Sequence, residues 1–499
     1  MLVYRYDIMS FAQLPTELLA QVLENVRGTG TRYSCLLVNR RFHAIMQPLL
    51  YRDLRIPFLS ENRLVTLVRA VRRFPHMASH TRSLTMGADP YDPRRTTERL
   101  VGREDLSRLF PTLRKVQLYG MTFERSMMIL FLGYCSRMPA LEELEVQYPD
   151  LVPLQRQLPL LKKLTWSVTM DGKSPVLCTR EGQAETHWIM GRFLVSLARC
   201  CPALESVALG AIGREAQWGI TDRQHPEYTE STRGLVDIPP VPTLREFTWL
   251  AGEGVQVTNI FHNLAADLLE AHAPKLESVR WAFTTAQGSG NVFLKRLAEM
   301  VRLRSLSLHF THNSFIEIYG MCMTSPSAKD VASEIEKWGA PALREVAMRW
   351  SVITDDCWEQ VRLLRALHCA SGLSRVGVTF GVPLVAAGPA AVAAGRNPDG
   401  GELQCWYYDE AKMTEFLSSL PPSIETLVVK FDGVHDILDC FETYEFRQQH
   451  DNPLPEWSEE YRAQVRELVS QRKSIPKALL FDRLPSLREV HISGYNLVD

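Results

Sequence analysis

A short phrase of apolar and polar residues returns along most of this chain. It reads FPTLRKVQL at 110–118, MPALEELEV at 138–146, LPLLKKLTW at 158–166 and CPALESVAL at 201–209. It comes back as VPTLREFTW, APKLESVRW, VRLRSLSL, APALREVAM, ASGLSRVGV, PPSIETLVV and, at 484–492, LPSLREVHI, which makes eleven copies. Counting from Leu113, Leu141, Leu161, Leu204, Leu244, Leu276, Leu303, Leu343, Leu373, Ile424 and Leu487 as position 1, positions 1, 4 and 6 are apolar, and a proline usually stands two residues ahead of position 1. Positions 4 and 6 alternate with polar neighbours as a half-buried strand does. Val116, Leu144, Val207, Val279, Val346 and Val490 at position 4 are therefore expected to be buried on parallel strands of one curved sheet. Thr81–Met86 reads as a degenerate first copy.

Several copies are preceded by segments of helical period: Glu124–Cys135, His187–Cys200, Ile260–Ala271, Asn291–Val301, Ala328–Trp338 and Asp355–Cys369. One strand and one helix per unit, repeated, describes an α/β solenoid. Steps between successive first positions run from 20 to 63 residues. The long steps imply insertions at Gly210–Pro240, Gly381–Asp409 and Phe431–Ser474, and the last of these carries the acidic stretch Glu456–Glu460. An ordinary α/β domain with parallel strands is the alternative.

The front of the chain has a different pattern. In LPTELLAQVLENV (14–26), Pro15 fixes φ and Thr16 can cap, so a helix is expected to begin near Glu17, with Leu18, Leu19, Val22, Leu23 and Val26 on one broad stripe. A second helix is expected over Tyr33–Phe42, with Gly28 and Gly30 between the two. Glu61–Phe74 gives an amphipathic linker helix ended by Pro75. Helices this short cannot hide stripes this wide against one another, so something else must cover the remainder. Either a larger domain of the same chain or a partner can do so.

LPTELLAQVLENV followed by CLLVNRRFHAIMQPLLYRDL resembles an F-box. Leu14, Pro15, Glu17, Leu18, Leu19, Val22, Leu23, Val38, Arg40 and Phe42 fall on that family's pattern. Phe42 stands where many members have Trp, and Asn39 stands where a small residue is usual. The resemblance implies that these ten residues bind the Skp-type adaptor of a cullin-RING ubiquitin ligase, with the rest of the chain selecting an unknown protein substrate. The later phrases resemble leucine-rich repeats, though their spacing is irregular and the closing Asn or Cys is missing. The implied α/β architecture is a three-helix F-box over 10–58, a linker helix over 59–80 and an irregular leucine-rich-repeat-like solenoid with a curved parallel sheet over 81–499. An F-box and repeat scaffold that assembles a complex without ubiquitin transfer is the alternative function.

Composition changes this picture little. The chain of 499 residues is 45% hydrophobic and 23% charged, as an ordinary globular protein is. Its net charge of -1 gives no electrostatic reason to bind nucleic acid or an anionic membrane. The balance is uneven, however: residues 1–115 carry 19 Lys or Arg against 10 Asp or Glu, so the front is +9 and the remainder -10. A basic front end suits an acidic partner, and a solvated basic face suits the same count. The ten cysteines include no CxxC pair, which fits a reducing compartment, cytoplasmic or nuclear. MLVYRYDIMS has no apolar core of a secretory signal, and the longest weakly polar run, Gly381–Gly395, is too short to span a bilayer.

No phosphate loop, HExxH zinc pair, nucleophile elbow or EF-hand spacing occurs. His435–Asp436 and Asp355–Asp356 look like acid/base pairs but have no third partner. No catalytic residue, metal or cofactor is therefore expected, and the chain does not read as an enzyme. Trp166, Trp249 and Trp281 stand at position 6 and are expected in the core. Positions 5 and 7 of each strand must face the other way, which in leucine-rich folds is the concave side. Gln117, Tyr119, Arg280, His309 and Arg349 are the substrate-binding candidates among them, the last three as a cationic patch for an acidic or phosphorylated target.

Overall fold

In a computed structural model of the protein, each copy of the phrase opens with a tight turn and continues as a strand. The residues described are 14–26, 28–59, 61–88, 105–119, 125–148, 151–169, 192–212, 239–251, 265, 268–283, 289–310, 328–353, 358–383, 410–431, 473–492 and 495–498. The three predicted insertions, His435–Asp436 and Asp355–Asp356 lie almost wholly outside them. At each turn the position 1 N–H donates to the carbonyl three residues ahead, as from Leu141 to Met138 at 3.4 Å and from Leu204 to Cys201 at 3.2 Å. A proline two ahead then occupies the second corner of the turn, which its fixed φ suits. The residue three ahead is itself buried, as at Phe110, Met138, Cys201 and Leu484, and is a fourth apolar position that the sequence reading did not include.

Two units are distinguished. The first comprises Met1–Thr169 with Arg192–Leu204. It begins with helices α1 (Thr16–Glu24), α2 (Thr29–Leu36) and α3 (Arg40–Arg52), followed by β1 (Asp53–Leu59), α4 (Glu61–Arg73), α5 (Pro75–His80) and β2 (Ser83–Ala88). β3 (Lys115–Tyr119), β4 (Glu143–Tyr148) and β5 (Lys163–Thr169) follow, with helices Leu106–Leu109, Arg125–Cys135 and one at 192–200. Strands β1 to β5 pair in sequence order and all in parallel. Successive strands are locked at their starts: the Glu142 and Glu143 N–H groups both donate to the Arg114 carbonyl, at 2.8 Å each. Thr81 fills the position 1 slot of the degenerate copy and is fully buried, with Leu84 and Met86 at positions 4 and 6.

The second unit comprises Met170–Gly191 with Glu205–Asp499. Its strands are β6 (Ser206–Ile212), β7 (Glu246–Ala251), β8 (Ser278–Phe283), β9 (Ser305–Phe310), β10 (Glu345–Ile353), β11 (Arg375–Pro383) and β12 (Thr426–Phe431). β13 (Lys473–Pro476) pairs separately with β15 (Tyr495–Val498), and β14 (Glu489–Ile492) joins β12. Here too the order is sequential and every pair parallel. Helices Ser289–Leu297, Ala328–Trp338, Trp358–Ala366 and Glu410–Ser418 supply crossovers, as parallel strands require.

Positions 4 and 6 are buried against these helices. Trp166 meets Phe193 of the helix at 192–200 edge-on at 5.1 Å, and Trp281 stacks on Phe293 at 4.9 Å. The expected core role of the tryptophans holds, since all three at position 6 are fully buried. Val490 differs from the expectation: it is only half-buried, because β14 has a strand on one side alone in its sheet.

Three boundaries and one additional strand also differ. α1 has Pro15 at its N-cap and no side-chain cap, so Thr16 is the first helical residue. The helix expected over Tyr33–Phe42 is broken by a turn at Leu37–Val38, and α3 begins at Arg40. Gly30 lies inside α2 rather than between helices. β1 was not foreseen at all.

Candidate adaptor-docking and strand-face surfaces

α1, α2 and α3 close around Leu19, Leu23, Leu36 and Met46, with Leu14, Val26, Cys35, Phe42, Ile45, Leu49 and Leu50 packed at the edges. The helical stripe of α1 is thus divided. Leu19 and Leu23 are 0% and 3% exposed and face this core, whereas Leu18 and Val22, one turn apart, are 48% and 43% exposed. This corrects the assignment of Leu19 and Leu23 as docking contacts: both are consumed in holding the three helices together. Phe42 and Leu14 are half-buried against the same core, while Pro15, Glu17, Val38 and Arg40 are exposed.

Arg41 ties two of the helices together at their starts. Its guanidinium donates to the Leu14 carbonyl and, at 3.1 Å, to the Thr16 hydroxyl, so the start of α3 is tied to the start of α1. Asn39 caps α3 by accepting the Phe42 N–H at 2.9 Å, which gives this departure from the family pattern a structural use. Arg32 donates to the carbonyls of Val26 at 3.0 Å and Leu49 at 3.3 Å and braces the α1–α2 connection against α3. The turn between α2 and α3 exposes Leu37 at 72% beside Val38 at 60%, and Tyr33 on α2 is 58% exposed. Leu37 and Tyr33 were missed because a continuous helix over Tyr33–Phe42 spread its apolar residues around the axis.

On most strands positions 5 and 7 are half-buried or exposed where positions 4 and 6 are buried, although Ser167 and Ala282, at position 7 of β5 and β8, are buried. In the first unit Gln117 sits at the centre of a network. Its amide oxygen accepts from Thr85 at 2.9 Å, and its Nε2 donates to Tyr119 Oη at 2.9 Å and to Glu145 Oε2 at 2.5 Å. Burial, then the hydrogen bond and charge of Glu145, push the Tyr119 phenol up to about 12, so it stays protonated at any ordinary pH. Gln117 and Tyr119 are therefore joined to each other, with Glu145 as their third member.

In the second unit Arg349 stands opposite His309, while Arg280 pairs in register with Ser307 two residues before His309. The three basic residues thus occupy neighbouring strands. Arg280 and Arg349 are exposed and His309 is half-buried. Each set belongs to its own unit.

Cys135, Cys200 and Cys201 are buried free thiols, and burial pushes the Cys201 thiol up to about 12. Such thiols pack as small apolar groups rather than react. Among the described residues no cluster of three His, Cys, Asp or Glu side chains suited to a metal ion occurs. No helix of the described residues is long and apolar enough to cross a membrane.

No family model matches the chain, and no curated protein does. Among solved structures, a crystal structure of a Bacteroides fragilis protein shares 11% identity over 54% of this chain and 72% of its own, with a TM-score of 0.28.

Proposed function

We propose that this chain is the substrate-recognition subunit of an SCF-type cullin-RING ubiquitin ligase. The observation that carries this is the division of labour in the first three helices: their core is complete, yet Pro15, Leu18, Val22, Leu37 and Val38 leave an apolar surface uncovered. Scattered exposed leucines are ordinary, but several exposed apolar residues on one small helical unit whose own core is already filled mark an interaction site. Its position and residue types fit an F-box docked on a Skp-type adaptor, and its basic surroundings fit an acidic one.

The strands that follow are read as an irregular leucine-rich-repeat-like solenoid whose polar face holds the target. The chain then does no covalent chemistry. It raises the local concentration of target near the ligase's other subunits, which deliver ubiquitin. A cytoplasmic or nuclear setting follows from that role.

Purification of the tagged full chain from cells should recover the adaptor and a cullin. A comparison of ubiquitin-remnant peptides between knockout and wild-type cells should show a small set of sites lost in the knockout. Recovery of the adaptor without any such loss would instead favour a scaffold that assembles a complex without ubiquitin transfer.

A further inference from the structure

We propose that the polar strand face of the second unit binds a peptide segment with two anionic side chains about three residues apart. The inference deepens the recruiting role above and takes its biological meaning from it, while the site rests on strand register. At position 7, Arg349 lies opposite His309 on β9 and Thr379 on β11, and Thr379 lies opposite Lys430 on β12. Adjacent strands are about 4.8 Å apart, so His309 and Arg349 can share one anion, while Lys430 stands about 10 Å beyond Arg349.

One row below, at position 5, Ser307, Ala347 and Gly377 are in register across the same strands. Their short side chains leave a low floor beside the basic row, and Arg280 on β8, in register with Ser307, closes one end. Positions 5 and 7 of β8 to β12 contain no Asp or Glu, in a chain whose overall charge is -1. Arg280 and Lys430 are exposed and form no ion pair among the described residues. The first unit presents the opposite case, since there Glu145 supplies a negative charge and Gln117 and Tyr119 hold it.

A peptide crossing these strands in extended form advances about 3.3 Å per residue, so the gap of about 10 Å between the two anion positions corresponds to three residues. The arginine fork donates in bidentate fashion to either a carboxylate or a phosphate, and a phosphate brings nearly twice the charge. Acidic side chains and phosphorylated Ser or Thr are therefore two sources of the same chemistry.

The test is a fluorescence-anisotropy titration of the full chain with labelled synthetic peptides that carry two phosphoserines three residues apart. The same peptide with two Glu, with two unmodified Ser, and with the phosphoserines six apart completes the series. The three-apart phosphopeptide should bind, weaken with added salt, and lose about tenfold or more in Lys430→Glu and in Arg349→Glu. The unmodified and six-apart peptides should bind about tenfold more weakly. Binding of the Glu peptide at comparable strength assigns the strip to acidic segments, and its failure assigns the strip to phosphorylated ones.

Arg302→Glu, on the exposed turn that precedes β9, should leave the affinity unchanged. Equal binding of the unmodified or six-apart peptide, unchanged affinity in Lys430→Glu, or an equal loss in Arg302→Glu overturns the proposal, as does failure of every peptide to bind. Thermal melting of each variant checks its fold, and Lys430→Glu stands alone if Arg349→Glu melts early. Adaptor affinity is measured in parallel: its absence would remove the ligase role without changing the peptide result.

Discussion

His272 shows how a single side chain can fasten two segments of a repeat. It is fully buried, and its Nε2 accepts the Val241 N–H at 2.7 Å while its Nδ1 donates to the Leu268 carbonyl at 2.7 Å. Only a neutral imidazole can do both. Burial pulls its pKa below the ordinary 6.5, the Leu268 hydrogen bond opposes this, and the nearby Lys275 charge adds to it. Because the folded state holds the proton less readily than the unfolded chain, the contribution is fully present above about pH 6.5 and is lost as pH falls further. His272→Phe should therefore cost about 1–3 kcal/mol at neutral pH, by leaving the Val241 N–H unsatisfied. The same change should flatten the fall in thermal midpoint between pH 7.5 and 5.5. A wild-type midpoint insensitive to that step, or one equally sensitive in the variant, would contradict the assignment. Nothing in the sequence singles out His272, whose neighbours Ala271 and Ala273 are the visible apolar signal.

Among elements, the strands carrying the phrase were the most legible, because two apolar positions at period 2 behind a proline turn leave little freedom in register. β1 escaped notice because DLRIPFL has Pro57 within it and no turn ahead of it. A proline is tolerated there because β1 has only β2 beside it in the sheet. β13 and β15 were missed for lack of the same phrase. The short step of 20 residues from Leu141 to Leu161 is explained by packing. Residues 151–158 run without a helix, and the helix at 192–200 holds them through Ser196 Oγ, which accepts the Leu154 N–H at 2.9 Å, and the Cys200 carbonyl, which accepts the Leu158 N–H at 2.7 Å. The register also predicts the cost of an interior change. Leu144 is buried on β4 between Val116 and Leu164, so Leu144→Ala should destabilise the protein by about 2–5 kcal/mol. Urea unfolding followed by tryptophan fluorescence checks this, and a cost below about 1 kcal/mol would mean that the site collapses without a cavity.

For the molecule as a whole, the sequence pattern marked the apolar residues of the first three helices but not which of them their own core buries. An apolar stripe of helical period marks buried and exposed leucines alike, and only the packing of α2 and α3 separates Leu19 and Leu23 from Leu18 and Val22. The basic row was half visible: the phrase puts His309, Arg349 and Lys430 all at position 7, while only the strand register places Lys430 two strands from Arg349, beyond Thr379. Arg41 carries a whole-molecule consequence as well. Arg41→Ala should weaken adaptor binding severalfold by loosening α1 from α3, with little change in the thermal midpoint of the strands, and an unchanged affinity would show that the clamp is dispensable.

The most direct measurement is an isothermal titration of purified Skp-type adaptor into the full chain and into the double variant Leu18→Ala, Val38→Ala. Full burial of one such side chain is worth roughly 1.5–3 kcal/mol, so losing two partly covered ones should weaken binding by tens of fold or more while the thermal midpoint stays within a few degrees. One adaptor per chain with that loss is the expected result. Wild-type affinity in the double variant, or no heat of binding for the unaltered chain, would contradict the adaptor-docking role.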